Sequence, residues 1–120
     1  MQVAPPNEDT SEMKMYILIN REILSLVQCG VQASHSLDEY SYIHKNNENY
    51  NEWHKNHKTL IFLEAKESEI YQKMNEFHKN GKTFAKFDEP DLGNRLTACT
   101  FEPMKSDEGK NIFGKFKLLS

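Results

Sequence analysis

A histidine and an acidic turn are the residues of this chain best suited to acid–base chemistry. His35 lies in a segment of helical spacing, and Asp88 and Asp91 lie in the turn-forming stretch 88–94. A hydrolase needs such a group beside a site that stabilises developing negative charge, and the ends of a helix and a strand can bring His35 and Asp88 together. A structural interpretation stays open, because helical histidines often bond to backbone or carboxylates and aspartates favour turns.

A second set of side chains is suited to binding a small polar ligand. Gln28 and Gln32 are one helical turn apart on one face, where their amides can form a polar wall. Small ligands require only a concave pocket with a few placed polar groups. The predicted ligand contacts are Gln28, Gln32, Asp91, Arg95, Tyr16 and Trp53.

Metal and thiol chemistry are weaker alternatives. His44, His54 and His57 are close in sequence, but no Cys pair or carboxylate completes a known zinc pattern around them. Cys29 and Cys99 have apolar neighbours and are predicted to be reduced, packed thiols rather than nucleophiles. We therefore predict no metal site and no cofactor.

The overall charge restricts the partners. The 120 residues carry a formal net charge of -3 and a sequence pI near 5.9. A nucleic-acid-binding domain usually has a high pI and clustered Lys and Arg, so the composition disfavours a large RNA or DNA partner. No apolar run approaches the roughly 18 residues of a membrane helix, and the first residues lack a signal-peptide pattern. We expect a cytoplasmic protein with no membrane partner.

Hydrophobic periodicity alternates between strand and helix along the chain. Apolar runs predict strands at 15–19, 59–63, 82–87 and 96–101, and helical spacing predicts helices over 23–40 and 67–79. Residues 45–58 are predicted to be a frayed helix end and a loop, and 111–119 a short apolar helix or tail. The alternation predicts a single three-layer α/β domain in which a four-stranded mixed sheet is flanked by helices.

The first residues do not share this pattern. Residues 1–12 combine two prolines with polar and acidic residues and have no period, which is typical of a flexible N-terminal tail. We therefore place the folded domain at 13–120.

The order of several short segments carries a family resemblance. An apolar strand at 14–19 precedes a helix with Val-Gln-Ala-Ser-His-Ser at 31–36. A strand at 60–63, a helix ending at Gly81, an acidic turn at 88–93 and Gly-Lys-Phe-Lys-Leu-Leu at 114–119 follow. Together these segments resemble the peptidyl-tRNA hydrolase 2 family over nearly all of residues 14–119, with Gln32 and His35 matching its Gln-Cys-Ala-His-Ala-like stretch. The resemblance implies that family's four-stranded mixed sheet flanked by helices.

The same resemblance implies one function. Members of the family hydrolyse the ester between a stalled peptide and its tRNA. If this chain does so, the residues expected to support attack of water are His35, Asp88 and Thr97, with Asp91 as a second candidate for the acidic group. The lysines expected to help hold RNA are Lys45, Lys55 and Lys58.

A departure from the family pattern favours a second function. Two lysines that precede the matched stretch in the family are replaced here by Leu26 and Gln28, so cationic donors for a phosphate or an oxyanion are missing. We therefore interpret the chain as a non-catalytic binder of a small nucleotide. Its Asn- and Lys-rich composition suggests a viral protein that sequesters cyclic nucleotide immune signals in the host cytoplasm. Peptidyl-tRNA hydrolysis stays as the alternative.

A homodimer is also expected. Family members are commonly dimeric, and the chain ends in an apolar segment that can close its own core or form a dimer face. Its apolar residues are Ile112, Phe113, Phe116, Leu118 and Leu119.

Overall fold

The computed structural model describes residues 12–120. Of the predicted N-terminal tail, residues 1–11 lie outside this range. The elements, in chain order, are β1 (Met13–Ile19), α1 (Leu26–Ile43), α2 (Glu48–Asn56), β2 (Thr59–Glu64), α3 (Glu67–Lys79), β3 (Phe84–Glu89), β4 (Arg95–Phe101), β5 (Met104–Lys105), α4 (Ser106–Phe113) and β6 (Lys117–Leu118). Short 3₁₀ helices occupy Arg21–Ile23 and Pro90–Leu92.

The strands form one mixed sheet with β1 at its centre. Its order is β3-β4-β1-β2-β6, and β5 pairs with the start of β1. β1 is parallel to β2, whereas the other pairings are antiparallel. The predicted mixed sheet is confirmed, but the predicted strand count is wrong, because the sheet formed by residues 12–120 has six strands instead of four. The two additional strands, β5 and β6, have two residues each, which is too short to produce a period of two in the sequence.

Helices cover both faces of the sheet. Met15, Ile17 and Ile19 of β1 belong to the clusters formed with α1 and α2, whereas Tyr16 and Leu18 belong to the cluster formed with α3 and α4. Successive strand residues point to opposite faces, and here both faces are buried. The continuous apolar run of β1 therefore reflects a strand covered on two sides, and the three layers are confirmed.

Two local expectations differ from the structure. Residues 48–56, within the predicted frayed end and loop, form a helix, because the Asn47 side chain caps it by accepting from the Tyr50 amide at 2.9 Å. Trp53 on this helix is 7% exposed and donates its indole N–H to the Thr59 carbonyl at 2.7 Å. The last helix begins at Ser106 rather than near residue 111 and ends at Phe113, and the chain then returns to the sheet as β6.

The two cysteines are free and fully buried, so the predicted packing of their thiols is confirmed. Burial raises the pKa of both Cys29 and Cys99. Among residues 12–120, no helix has both the length and the apolar character needed to cross a bilayer.

Candidate functional site

A bulge in β4 places Thr97 against α1. The pairing of Phe87 with Ala98 is followed directly by that of Asp88 with Leu96, which leaves Thr97 as the extra residue of β4. A bulge re-aims the side chain of the extra residue. Buried Asn20 holds it there, because its backbone N–H donates to the Thr97 carbonyl at 2.8 Å and its side-chain amide to the Leu96 carbonyl at 3.1 Å.

Thr97 begins a chain of hydrogen bonds that ends at the β3–β4 turn. Its hydroxyl donates to Gln32 Oε1 at 2.7 Å, and Gln32 Nε2 donates to Glu89 Oε1 at 2.8 Å. The Gln32 bond, followed by one from the Asp91 amide, lowers the pKa of the Glu89 carboxyl. Gln32 and Thr97 are therefore in direct contact, and their polar atoms are already used by protein partners.

The proposed acid–base pair is not brought together. The His35 ring stacks on Phe87, with ring centroids 4.6 Å apart, on the α1 face of the sheet. Asp88 follows Phe87 and instead forms an ion pair with Lys86 at 2.6 Å. Lys86 is paired with Cys99, which packs on the α3 face. Phe87 and Asp88 are successive strand residues and point to opposite faces, so His35, which stacks on Phe87, is separated from Asp88 by the sheet. The bulge places Thr97 on the same face as His35.

The remaining predicted ligand contacts are dispersed. Gln28 lies at the start of α1, where its side-chain oxygen accepts from the Ser25 amide at 2.8 Å as half of a capping box. Asp91 is exposed in the turn, and its amide donates to Glu89 at 3.2 Å. Arg95 forms an ion pair with Glu67 at the start of α3, at 2.7 Å.

The two predicted aromatic contacts are core residues. Tyr16 is 5% exposed and stacks on Phe113 at 4.6 Å, and burial raises the pKa of its hydroxyl. Trp53 packs on the opposite face of the sheet with Met15 and Tyr40. One small ligand therefore cannot contact both.

The histidines considered for zinc have separate partners. His44 lies against the Phe84 carbonyl, His54 stacks on Tyr50, and His57 pairs with Glu52. Within the described range 12–120, no group of three or more His, Cys, Asp or Glu side chains is placed to hold a metal ion.

A cleft that the sequence analysis did not identify opens where the parallel strands end. β1 and β2 run in the same direction, so the residues after Ile19 and after Glu64 meet at one edge of the sheet. The segment leading into β6 returns to the same edge, where Lys117 pairs with Glu64. The resulting cavity has a volume of about 340 Å³. Its lining comprises Arg21, Glu22, Glu64, Ala65, Lys66, Glu69, Lys115, Phe116 and Lys117, and we call it the basic cleft.

Positive charge in the basic cleft is incompletely neutralised. The Arg21 guanidinium donates to the Leu24 carbonyl at 2.5 Å and to the main-chain oxygen of Ser120 at 3.2 Å, and no Asp or Glu side chain of residues 12–120 forms an ion pair with it. No carboxylate of residues 12–120 forms an ion pair with Lys66, Lys115 or Lys117.

The carboxylates of the cleft accept hydrogen bonds from backbone amides. Glu69 accepts from the Lys66 amide at 2.9 Å, and Glu64 accepts from the Ser120 amide at 3.0 Å. α3 also begins in this cleft, and the amino end of a helix favours anions. The arrangement can therefore hold a small anion.

A signal for the basic cleft was present in the sequence. Arg21 comes two residues after β1, and Lys66 comes two residues after β2. Parallel strands end at a common edge, so these two cations could have been paired once β1 and β2 were taken as parallel. Lys115 and Lys117 gave no such signal, because their position depends on the return of the chain as β6.

Comparison with known proteins supports the fold alone. No protein-family model matches the sequence, and no curated protein is similar to it. One solved structure, of a protein of unknown function from Agrobacterium tumefaciens, is similar with a TM-score of 0.61 and 9% sequence identity. The similarity covers 91% of this chain and 98% of that one. This α/β arrangement therefore also occurs in a solved structure, while the resemblance to peptidyl-tRNA hydrolase 2 stays a prediction.

Proposed function

We propose that the protein is a non-catalytic binder of a small phosphate-bearing ligand, of the nucleotide class expected from the sequence, and that the ligand phosphate binds in the basic cleft. The observation that carries this proposal is the group of three lysines, Lys66, Lys115 and Lys117, that have no ion-pair partner within residues 12–120. With Arg21 they surround one cavity. Charge-assisted hydrogen bonds from such side chains are the usual means of holding phosphate.

The position and size of the cleft support the same function. In open α/β sheets, ligands bind outside the carboxyl ends of the strands, and the basic cleft lies at those ends of β1 and β2. Its volume of about 340 Å³ falls within the range of small-molecule pockets, which starts at about 300 Å³. A small ligand fits, whereas the acidic net charge of -3 opposes a broad nucleic-acid surface.

The lining favours binding over catalysis. Among the described residues that line the cleft there is no His, Cys, Ser, Thr or Tyr. Two of its three carboxylates, Glu64 and Glu69, are held by backbone amides. The residues expected for hydrolysis, His35 and Asp88, lie on opposite faces of the sheet. Sequestration of a cyclic nucleotide is the narrower form of the proposal, and it requires that the ligand be released chemically intact.

Titration calorimetry and native mass spectrometry with linear and cyclic nucleotides test the proposal. We expect one bound nucleotide per chain, recovered uncleaved. Lys66→Ala and Lys117→Ala should each weaken binding about tenfold, near the lower end expected for a charged hydrogen bond because both side chains contact solvent. Lys79→Ala, at an exposed lysine outside the cleft, is the matched control.

Three results would overturn the proposal. The first is that no nucleotide binds, the second is that the cleft variants bind with the affinity of the wild type, and the third is that the bound nucleotide is cleaved. Loss of affinity in Arg95→Ala but not in Lys66→Ala would place the ligand at the residues expected from the sequence instead.

A further inference from the structure

A second cavity borders the basic cleft. It has a volume of about 200 Å³ and lies between β1 and β2, α4 and the segment that leads into β6. We call it the aromatic groove, because rings and aliphatic side chains form most of its lining. These residues are Tyr16, Ile61, Leu63, Phe113, Phe116 and Leu118.

The groove exists because the last helix ends before the edge of the sheet is covered. α4 stops at Phe113, and the chain turns at Gly114 and pairs with β2 only at Leu63 and Glu64. Ile61, two residues earlier on β2, is therefore left half-buried at the floor of the groove.

Phe116 connects the groove to the basic cleft. Its half-buried side chain lines both cavities, with Lys115 and Lys117 on the cleft side and Leu118 on the groove side. A ligand that spans Phe116 would meet Arg21 and three lysines at one end and, at the other, a mainly apolar, aromatic surface that also includes Lys14 and Lys110. This combination suits a molecule with a charged group at one end and a flat ring at the other.

We propose that the aromatic groove binds the base of a nucleotide whose phosphate lies in the basic cleft. This inference rests on the proposed function and adds to it the place at which the nucleobase binds. Bases stack on aromatic side chains without base-specific hydrogen bonds. The ring offered here is that of Phe116, which is half-buried and has the Lys115 ammonium 5.1 Å from its centroid. The stacked pair Tyr16 and Phe113, 4.6 Å apart, forms the rigid wall behind it.

Calorimetry with matched ligands tests the inference. Ribose 5-phosphate carries the phosphate without a base, and the four common nucleoside 5′-monophosphates carry both. We expect at least one monophosphate to bind about tenfold or more tightly than ribose 5-phosphate, in keeping with the stacking of one base.

Variants separate the two cavities. Phe116→Leu keeps an apolar side chain but removes the ring, and Leu118→Ser removes apolar surface from a side chain that is 69% exposed. Each should weaken the monophosphate about fivefold to tenfold. Leu118→Ser, which lines the groove but not the basic cleft, should leave ribose 5-phosphate unchanged. Leu26→Ser, at a leucine that is 51% exposed on α1, is the matched control and should change neither. Lys66→Ala should weaken both ligands.

The outcomes are distinguishable. Equal affinities for ribose 5-phosphate and every monophosphate would overturn the base site but support the phosphate site. Failure of all five ligands to bind would overturn both. If the groove is instead covered by a second copy of this chain, sedimentation will show a dimer that Leu118→Ser dissociates, and the base site is again overturned.

Discussion

Removal of the Thr97 hydroxyl tests whether this residue supports the fold rather than a reaction. Thr97→Val keeps the shape of the side chain but removes the donor that contacts Gln32 Oε1 at 2.7 Å. Thr97 is 0% exposed and Gln32 is 5% exposed, so water cannot readily replace the lost donor. A buried acceptor left without a partner costs about 1–3 kcal/mol.

The expected loss is large enough to measure. Taking about 2 kcal/mol, the midpoint of thermal unfolding should fall by about 8 °C in a domain of this size. Thr97→Ser is the matched control, because it keeps the hydroxyl and removes only a methyl group. Urea unfolding of Thr97→Val, Gln32→Leu and their combination gives a double-mutant cycle, whose coupling should be about 1 kcal/mol.

A Thr97→Val variant as stable as the wild type, or a coupling of zero with Gln32, would contradict a structural role of the Thr97 hydroxyl. The folded variant should also bind nucleotides with unchanged affinity, because Thr97 does not line the basic cleft. A large loss of peptidyl-tRNA cleavage in a fully stable Thr97→Val would instead support the enzymatic alternative.

Two further predictions concern single contacts. Gly109→Ala should destabilise the protein by about 1–3 kcal/mol in urea unfolding, because the added methyl would approach Cε1 and Cζ of Tyr16 to 2.5 Å. Ala favours helices more than Gly does, so a variant more stable than the wild type would show that this clash is absent. The pKa of the Glu89 carboxyl is lower in the folded protein than its ordinary value of 4.5. The ionised carboxyl therefore stabilises the fold at pH values above 4.5, and this stabilisation is lost as the pH falls through the pKa of the folded state. Gln32→Leu should move the pKa of Glu89 upward in an NMR titration, and an unchanged pKa would show that the Gln32 bond is not its cause.

The regular elements were predictable because their periodicity is strong. The runs that became β1 and β2 are apolar without interruption, and α3 has the predicted bounds of 67–79. The short strands were not predictable, since β6 exists only because Lys117 and Leu118 return to the edge of β2. α2 was not predicted as a helix, because its sequence is mostly polar and its one buried residue, Trp53, produces no helical period.

The candidate site was harder to predict than the fold. The sequence does not show that a bulge turns Thr97 toward α1, where its hydroxyl contacts Gln32. It also does not show that Lys86 engages Asp88 on the opposite face of the sheet from His35. The sequence shows which residues are of a type that can perform chemistry. Whether their polar atoms are free to contact a ligand depends on the partners that the fold places beside them.

The acidic net charge and the basic cleft are compatible because they act over different distances. The charge of -3 is spread over the whole chain, and salt screens exposed charges beyond about 8–10 Å at physiological ionic strength. A long nucleic acid would meet this acidic surface at many phosphates, whereas a small ligand in the cleft meets only the charges that line it. These comprise four cations and three carboxylates, two of which are turned to backbone amides. The local excess of positive charge therefore selects for ligands small enough to lie within the cleft.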